Sequence, residues 1–256
     1  MKTLFAFIKK EFAEHFRSNK FVIFALLFVL FGLSNPALAK VTPWLLDTFS
    51  EALEESGMVI TVPPATIIDS WLQFFSNVSL VLIIFVIIES SIFTKEYQTG
   101  TLILSLTKGL EKYKVVLSKT FMLVGLWTVG YWLSFVSTFC GNLVFWENTP
   151  VPNIAFAAIC FWLFGLFSIS LFILFSAIAK GNIGALGGTI GVLVAFLIIS
   201  IAPALSKWLP LFLADGISLI YNMSTVSDYI PSIVVTSVAT AGCFVASIFA
   251  FNKKQL

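Results

Sequence analysis

Six apolar runs, at residues 21–39, 71–93, 120–145, 154–178, 185–206 and 231–251, decide what this chain can fold into. A helix needs about 20 predominantly apolar residues to cross a hydrocarbon core roughly 30 Å thick, and each run meets that length. Inside lipid every backbone N–H and C=O must find a partner within the protein, and an unbroken helix supplies those partners locally. The expectation is an all-α membrane protein, residues 1–256 forming one domain with six transmembrane helices. Composition agrees: a mean hydropathy of +1.00 with only 11% charged residues leaves too little charge to cover a soluble domain of 256 residues.

Charge placement orients such a chain, because Lys and Arg are retained on the cytoplasmic side and acidic residues weigh little. With the N-terminus inside, thirteen of the fifteen basic residues fall in cytoplasmic segments and only Lys40 and Lys207 fall outside. Eight of the thirteen acids (Asp47, Glu51, Glu54, Glu55, Asp69, Glu147, Asp215 and Asp228) fall outside, so the net charge of +2 hides the asymmetry. The basic residues therefore report topology, with both termini cytoplasmic, and they do not imply nucleic acid. Cys140, Cys160 and Cys243 each lie in an apolar run, where a thiol behaves as a small hydrophobe. Their spacing offers neither a disulfide framework nor a metal site.

The first 39 residues imitate a secretory signal, with a basic start, an apolar stretch and Ala37-Leu38-Ala39 at its end. The region before the apolar run also contains Glu11 and Glu14, and it spaces Phe5, Ile8, Phe12 and Phe16 along one helical face opposite Lys9, Lys10 and Arg17. That pattern predicts an amphipathic helix over residues 1–20, retained in the mature chain and lying in the membrane surface. Periodicity alone does not separate it from a cytosolic helix packed on another protein.

Several activities are excluded by what is missing. His15 is the only histidine and is flanked by charges on that surface helix, which nearly excludes a His-based triad, a zinc site or haem ligation. Glu54-Glu55 resembles the paired glutamates of prenyl-protein-processing membrane proteases, but the arginine after the pair and the intramembrane histidines are absent. The stretch reads instead as an exposed amphipathic helix with Phe49 and Leu53 on one face. No Gly-Lys dipeptide occurs, so a P-loop is missing too. Glu89 is the one carboxylate placed well within an apolar run. It reads either as a functional intramembrane polar site or as a structural partner of Lys95 near the cytoplasmic end. Gly184 with Gly188, and Gly187 with Gly191, satisfy G-x-x-x-G, which serves close helix approach within one chain or between two.

The segment "KEYQTGTLILSLTKGLEKYKVVLSK", residues 95 to 119, holds five of the fifteen basic residues. It turns at Gly100 and Gly109, where glycine supplies conformations other residues resist. Between them lies an apolar stretch that has no place in a cytosolic loop unless it forms a short helix with a cover, for which a second protein is the natural candidate.

These residues resemble the first cytoplasmic loop of type 2 permeases of ATP-binding cassette transporters. That loop reads glutamate, a spacer, Gly-Thr, an apolar stretch, Pro-x-x-Arg, an apolar pair and Lys. Glu96, Gly100, Thr101, Leu102 to Leu106, Lys112 and Lys119 occupy those places, with Gly109 where proline is usual and Lys112 where arginine is usual. A rigid turn and a planar fork of donors are thereby lost. "KKEFAEHFRSNKF" at residues 9 to 21 resembles the elbow helix of the same family, and the six-span layout extends the likeness over the chain.

The resemblance implies a permease without catalysis of its own, whose loop (Glu96, Gly100, Thr101, Gly109, Lys112, Lys119) docks on a separate ATPase subunit that binds ATP and Mg. It implies a second permease chain, as a homodimer or a homologous heterodimer, in a multi-pass exporter of a bacterial plasma membrane. The apolar spans suit an amphipathic peptide, a lipid-like compound or a drug as cargo. The alternative from the residues alone is a non-transport assembly factor or a membrane enzyme using carboxylates.

Overall fold

Capping residues and proline, as well as hydropathy, set several of the helix ends. In the computed structural model, which describes residues 2–54, 64–93, 96, 100–107, 109, 111–146, 149–179 and 181–254, the secondary structure is entirely helical. The long elements are α1 (Lys2–Arg17), α2 (Lys20–Glu54), α3 (Ile67–Glu89), α5 (Lys112–Phe145), α6 (Ile154–Ile178), α7 (Asn182–Ile199) and α10 (Val226–Lys253). Short pieces are α4 (Thr101–Thr107), α8 (Pro203–Ser206), a 3-10 turn (Pro210–Ala214) and α9 (Gly216–Ile220). Six helices among the described residues, α2, α3, α5, α6, α7 and α10, are long and apolar enough to cross a membrane. Lys95, Lys108, Lys180, Glu55 and Glu147, used above for orientation or pairing, lie outside the described residues.

The fourth run is helical over the predicted bounds, 154–178, and the others differ for identifiable reasons. α2 does not stop at 39 but continues through Pro36 and Pro43 to Glu54, and at about 1.5 Å per residue its 35 residues span roughly 52 Å. Pro36 has no N–H for the carbonyl of Gly32 four residues back. Thr138 on α5 donates to that carbonyl instead, at 2.8 Å, so the helix passes the proline without a buried orphan. The separate amphipathic helix expected around Phe49 is thus the last part of α2.

α3 starts four residues before the predicted run because Thr66 and Asp69 form a capping box, the carboxylate accepting from the Thr66 N–H at 2.7 Å and its hydroxyl at 2.8 Å. Thr225 and Asp228 start α10 early by the same device. α7 ends at Ile199 rather than 206, since Ala202 before Pro203 is extended and the proline opens a new short helix.

α6 is the centre of the bundle, with two thirds of its apolar window buried, and it packs against α10, α7, α5 and α9. α2 packs along α5 and α3. The α2–α5 approach is close: a Cβ on Gly32 would lie 2.7 Å from the Ser134 carbonyl oxygen, and one on Gly130 only 2.2 Å from the Phe28 ring. The core is strongly aromatic, with Trp127 stacked obliquely on Tyr131 at 5.4 Å and Tyr131 parallel to Phe161 at 6.0 Å. Tyr131 and Trp127 each spend their polar hydrogen on an α6 carbonyl, those of Ala158 (2.8 Å) and Trp162 (3.3 Å). Of the two G-x-x-x-G pairs, Gly188 lies under Phe175 of α6 and Gly184 beside Ala179, whereas Gly187 and Gly191 face open space.

Lys114 donates to Thr3 at 3.2 Å and Lys112 to the Lys254 carbonyl at 2.8 Å, which brings α1, the start of α5 and the end of α10 to one end of the bundle.

Candidate functional site

α1 forms over Lys2–Arg17 and packs through the side that carries Glu11 and His15. Phe5 and Phe16 are 78% and 74% exposed, while Phe7, Glu11 and His15, spaced by four along the helix, are buried. His15, read from sequence as part of a surface helix flanked by charges, is therefore interior, against α2 and α3. With the aromatic stripe turned outward, the ionisable stripe must find partners in the bundle.

Those partners form two joined clusters. In the first, the Glu11 carboxylate takes Lys119 Nζ of α5 at 3.2 Å on both oxygens, and Lys119 also meets Glu96 Oε2 at 3.0 Å. Lys10 bonds the other Glu96 oxygen and lies 3.5 Å from both Glu11 and Glu14. Lys119 is 1% exposed and sits over the Phe93 ring. In the second, Glu89, fully buried at the end of α3, accepts from Lys20 at 3.1 and 3.2 Å and faces His15 Nε2 at 3.2 Å. A charge buried in this way is stable only when paired and hydrogen-bonded, and removing one partner of such a pair costs about 3–5 kcal/mol. Burial would raise the Glu96 carboxyl, but the charges of Lys119 and Lys10 outweigh it and hold its pKa below the usual 4.5. Burial would lower the Lys10 ammonium, but Glu96, Glu11 and Glu14 together hold it above 10.5.

Of the residues singled out in the sequence, Glu96 and Lys119 come together here, with Glu89 in the adjoining cluster. Glu89 is held by Lys20 and His15, whereas its expected partner Lys95 is not among the described residues. Lys119, expected where the chain re-enters the membrane, already lies two turns inside α5, which starts at Lys112. Lys112 stands apart from the clusters, bonding the last carbonyls of α10, where a cation also complements the helix dipole. Lys254 in turn bonds the Ala179 carbonyl at the end of α6, at 2.6 Å.

Gly100 and Gly109 adopt the left-handed φ values of +67° and +87° that their turns require. Between them α4 buries Leu102 in the protein's own core and leaves Thr101 and Thr107 exposed, so this chain itself covers one side of the apolar stretch. Sequence reasoning missed Lys10, Glu11, His15 and Lys20. Their signal was the Phe7–Glu11–His15 stripe, which any outward-facing aromatic stripe on α1 forces inward. It also missed a polar ladder deeper in the spans, where Asn77 donates to Asn35 at 2.8 Å and Asn35 to Thr138 at 3.0 Å.

The clusters hold no activated nucleophile. They tie three structural units together: α1, the chain between α3 and α5, and the spans. No curated protein matches the chain. The family model described as "ABC-2 family transporter protein" matches residues 5–218, which takes in α1, both charge clusters, α4 and five of the six spans. With its six apolar helices this multi-pass membrane protein therefore belongs to the ABC-2 transporter family, as a membrane permease of ABC transporters.

Proposed function

We propose that the chain is the permease subunit of an ATP-driven exporter in a bacterial plasma membrane. A separate ATPase subunit binds ATP and Mg and docks on the segment between α3 and α5. A second permease chain, identical or homologous, completes the pathway for an amphipathic peptide, a lipid-like compound or a drug. The end of the bundle carrying α1, α4 and the end of α10 is the cytosolic one, in keeping with the excess of basic residues in the segments assigned to it.

The observation that carries this reading is the position of Glu96. It belongs to the docking segment, yet it is bonded to Lys10 of α1 and Lys119 of α5 at once. A displacement of Glu96 is therefore passed to α1 and to a span together. α4 is buried through Leu102 and exposed at Thr101 and Thr107, so a partner pressing on it presses on a helix already seated in the permease. The tagged chain, purified from native membranes, brings down an ATP-hydrolysing subunit in equal amount under this reading. Recovery of the chain without any such partner, under conditions that keep it folded, contradicts it.

A further inference from the structure

Both ring nitrogens of His15 face acceptors. Nδ1 lies 3.1 Å from the backbone carbonyl of Glu11, which can only accept, so Nδ1 carries a hydrogen. Nε2 lies 3.2 Å from Glu89 Oε2, and the same carboxylate takes Lys20 on both oxygens, the pairing of an ionised acid. A neutral imidazole has one N–H and cannot satisfy both contacts. The geometry calls for a proton on each nitrogen.

The surrounding charges agree. From α1, Glu11 directs its carboxylate to Lys119 of α5, and Lys10 and Glu14 pair with each other; from α2 comes Lys20, from α3 Glu89, and from the segment before α4 Glu96. Among the described residues, counting His15 as an imidazolium, four bases (Lys10, His15, Lys20, Lys119) meet four acids (Glu11, Glu14, Glu89, Glu96). The ring also meets Phe21, edge-on at 6.3 Å. α1 connects to α2 through Ser18 and Asn19 alone, with Asn19 at φ +55°, so loss of the His15 contact loosens the end of α1 beside that joint while Glu11 still holds Lys119.

We propose that His15 and Glu89 form a proton-operated latch: with the proton on Nε2 the contact clamps α1 to the inner end of α3, and its loss on the alkaline side opens that clamp. The sign follows from the chemistry. The clamp is present at lower pH and lost as pH rises, because the deprotonated Nε2 turns a lone pair toward the carboxylate.

The test uses the full-length chain in phospholipid bilayers. Because His15 is the only histidine, 15N-histidine labelling reports on one ring by solid-state NMR. Both nitrogens should be protonated at the acid end of the range tested, with Nε2 losing its proton toward the alkaline end. In step with that loss, amide protection factors over residues 12–17, corrected for intrinsic exchange, should fall on the order of tenfold while those of α5 hold. In Glu89→Gln the amide donates to a neutral ring, so the ring should be neutral where the wild type is charged, and α1 protection should no longer depend on pH. A ring that is neutral with its hydrogen on Nε2 throughout the range overturns the proposal. So does a wild-type ring that titrates while α1 protection stays constant, a result that stands whether or not the variant folds.

Discussion

Replacing Thr138 by Val keeps the side chain's shape and removes its hydroxyl, which makes two contacts. It donates to the Gly32 carbonyl left without its helical partner by Pro36, and it accepts from Asn35, itself 1% exposed. Interhelical hydrogen bonds in membranes average about 0.6 and reach about 1.7 kcal/mol, so Thr138→Val should cost about 1–3 kcal/mol. In a Pro36→Ala background the new N–H of residue 36 bonds the Gly32 carbonyl from within α2, and only the Asn35 contact remains to be lost. The cost of Thr138→Val should then fall by about 0.6–1.7 kcal/mol. The assay is reversible unfolding in mixed micelles for the wild type, the two single variants and the double variant. An equal cost in both backgrounds would show that the Thr138 hydroxyl does not stand in for the proline's missing donor, and the account of how α2 continues past Pro36 would fail.

Further outcomes follow from the clusters and the close helix approach. Lys119→Met leaves the Glu11 and Glu96 carboxylates buried without their shared cation and should lower stability by about 3–5 kcal/mol, with Glu11→Gln added to it recovering part of the loss in the same unfolding assay. The Lys10–Glu96 contribution is lost on the acid side as pH falls through the depressed Glu96 pKa, and on the alkaline side as pH rises through the raised Lys10 pKa. It should be flat from about pH 5 to about pH 10, so a change in α1 protection within that window belongs to His15. Gly130→Ala drives a methyl into the Phe28 ring and should destabilise by about 1–3 kcal/mol, while Gly125→Ala, which faces open space, should be neutral or stabilising. Orientation is read by labelling single cysteines in a background lacking Cys140, Cys160 and Cys243. Asp228→Cys should react from outside sealed cells and Lys253→Cys should not, and the reverse pattern would invert the topology.

The architecture was legible because hydrocarbon thickness sets a length that a run of apolar residues either meets or misses, and α6 met it to the residue. The ends were less legible where backbone chemistry outweighs hydropathy. Two prolines suggest a stop in α2, but a hydroxyl 102 residues from Pro36 supplies the missing donor, and no local pattern announces it. The charged site was half visible. Glu89 stood out as a carboxylate within an apolar run, and Glu96 and Lys119 through the resemblance of their loop to the permease family, but their partners on α1 were read as part of a surface helix. On a soluble surface helix the polar stripe meets water; α1 exposes Phe5, Phe12 and Phe16, and the same stripe turns to the interior.

The central claim is that Glu96 couples the docking segment to the permease, and one comparison tests it: Glu96→Lys against Glu51→Lys, at equal permease abundance in the membrane. The reversal places a cation between Lys10 and Lys119, whereas Glu51 lies near the far end of α2, away from the cluster. Opposing like charges at a partly buried contact changes an interface by several kcal/mol. The measurement is the amount of ATPase subunit copurified with the tagged chain, together with its substrate-stimulated ATP hydrolysis. Glu96→Lys should lose the stimulation and most of the copurified subunit while Glu51→Lys keeps both. If the two variants behave alike in both assays, the segment between α3 and α5 is only a connector and the coupling role assigned to Glu96 is wrong.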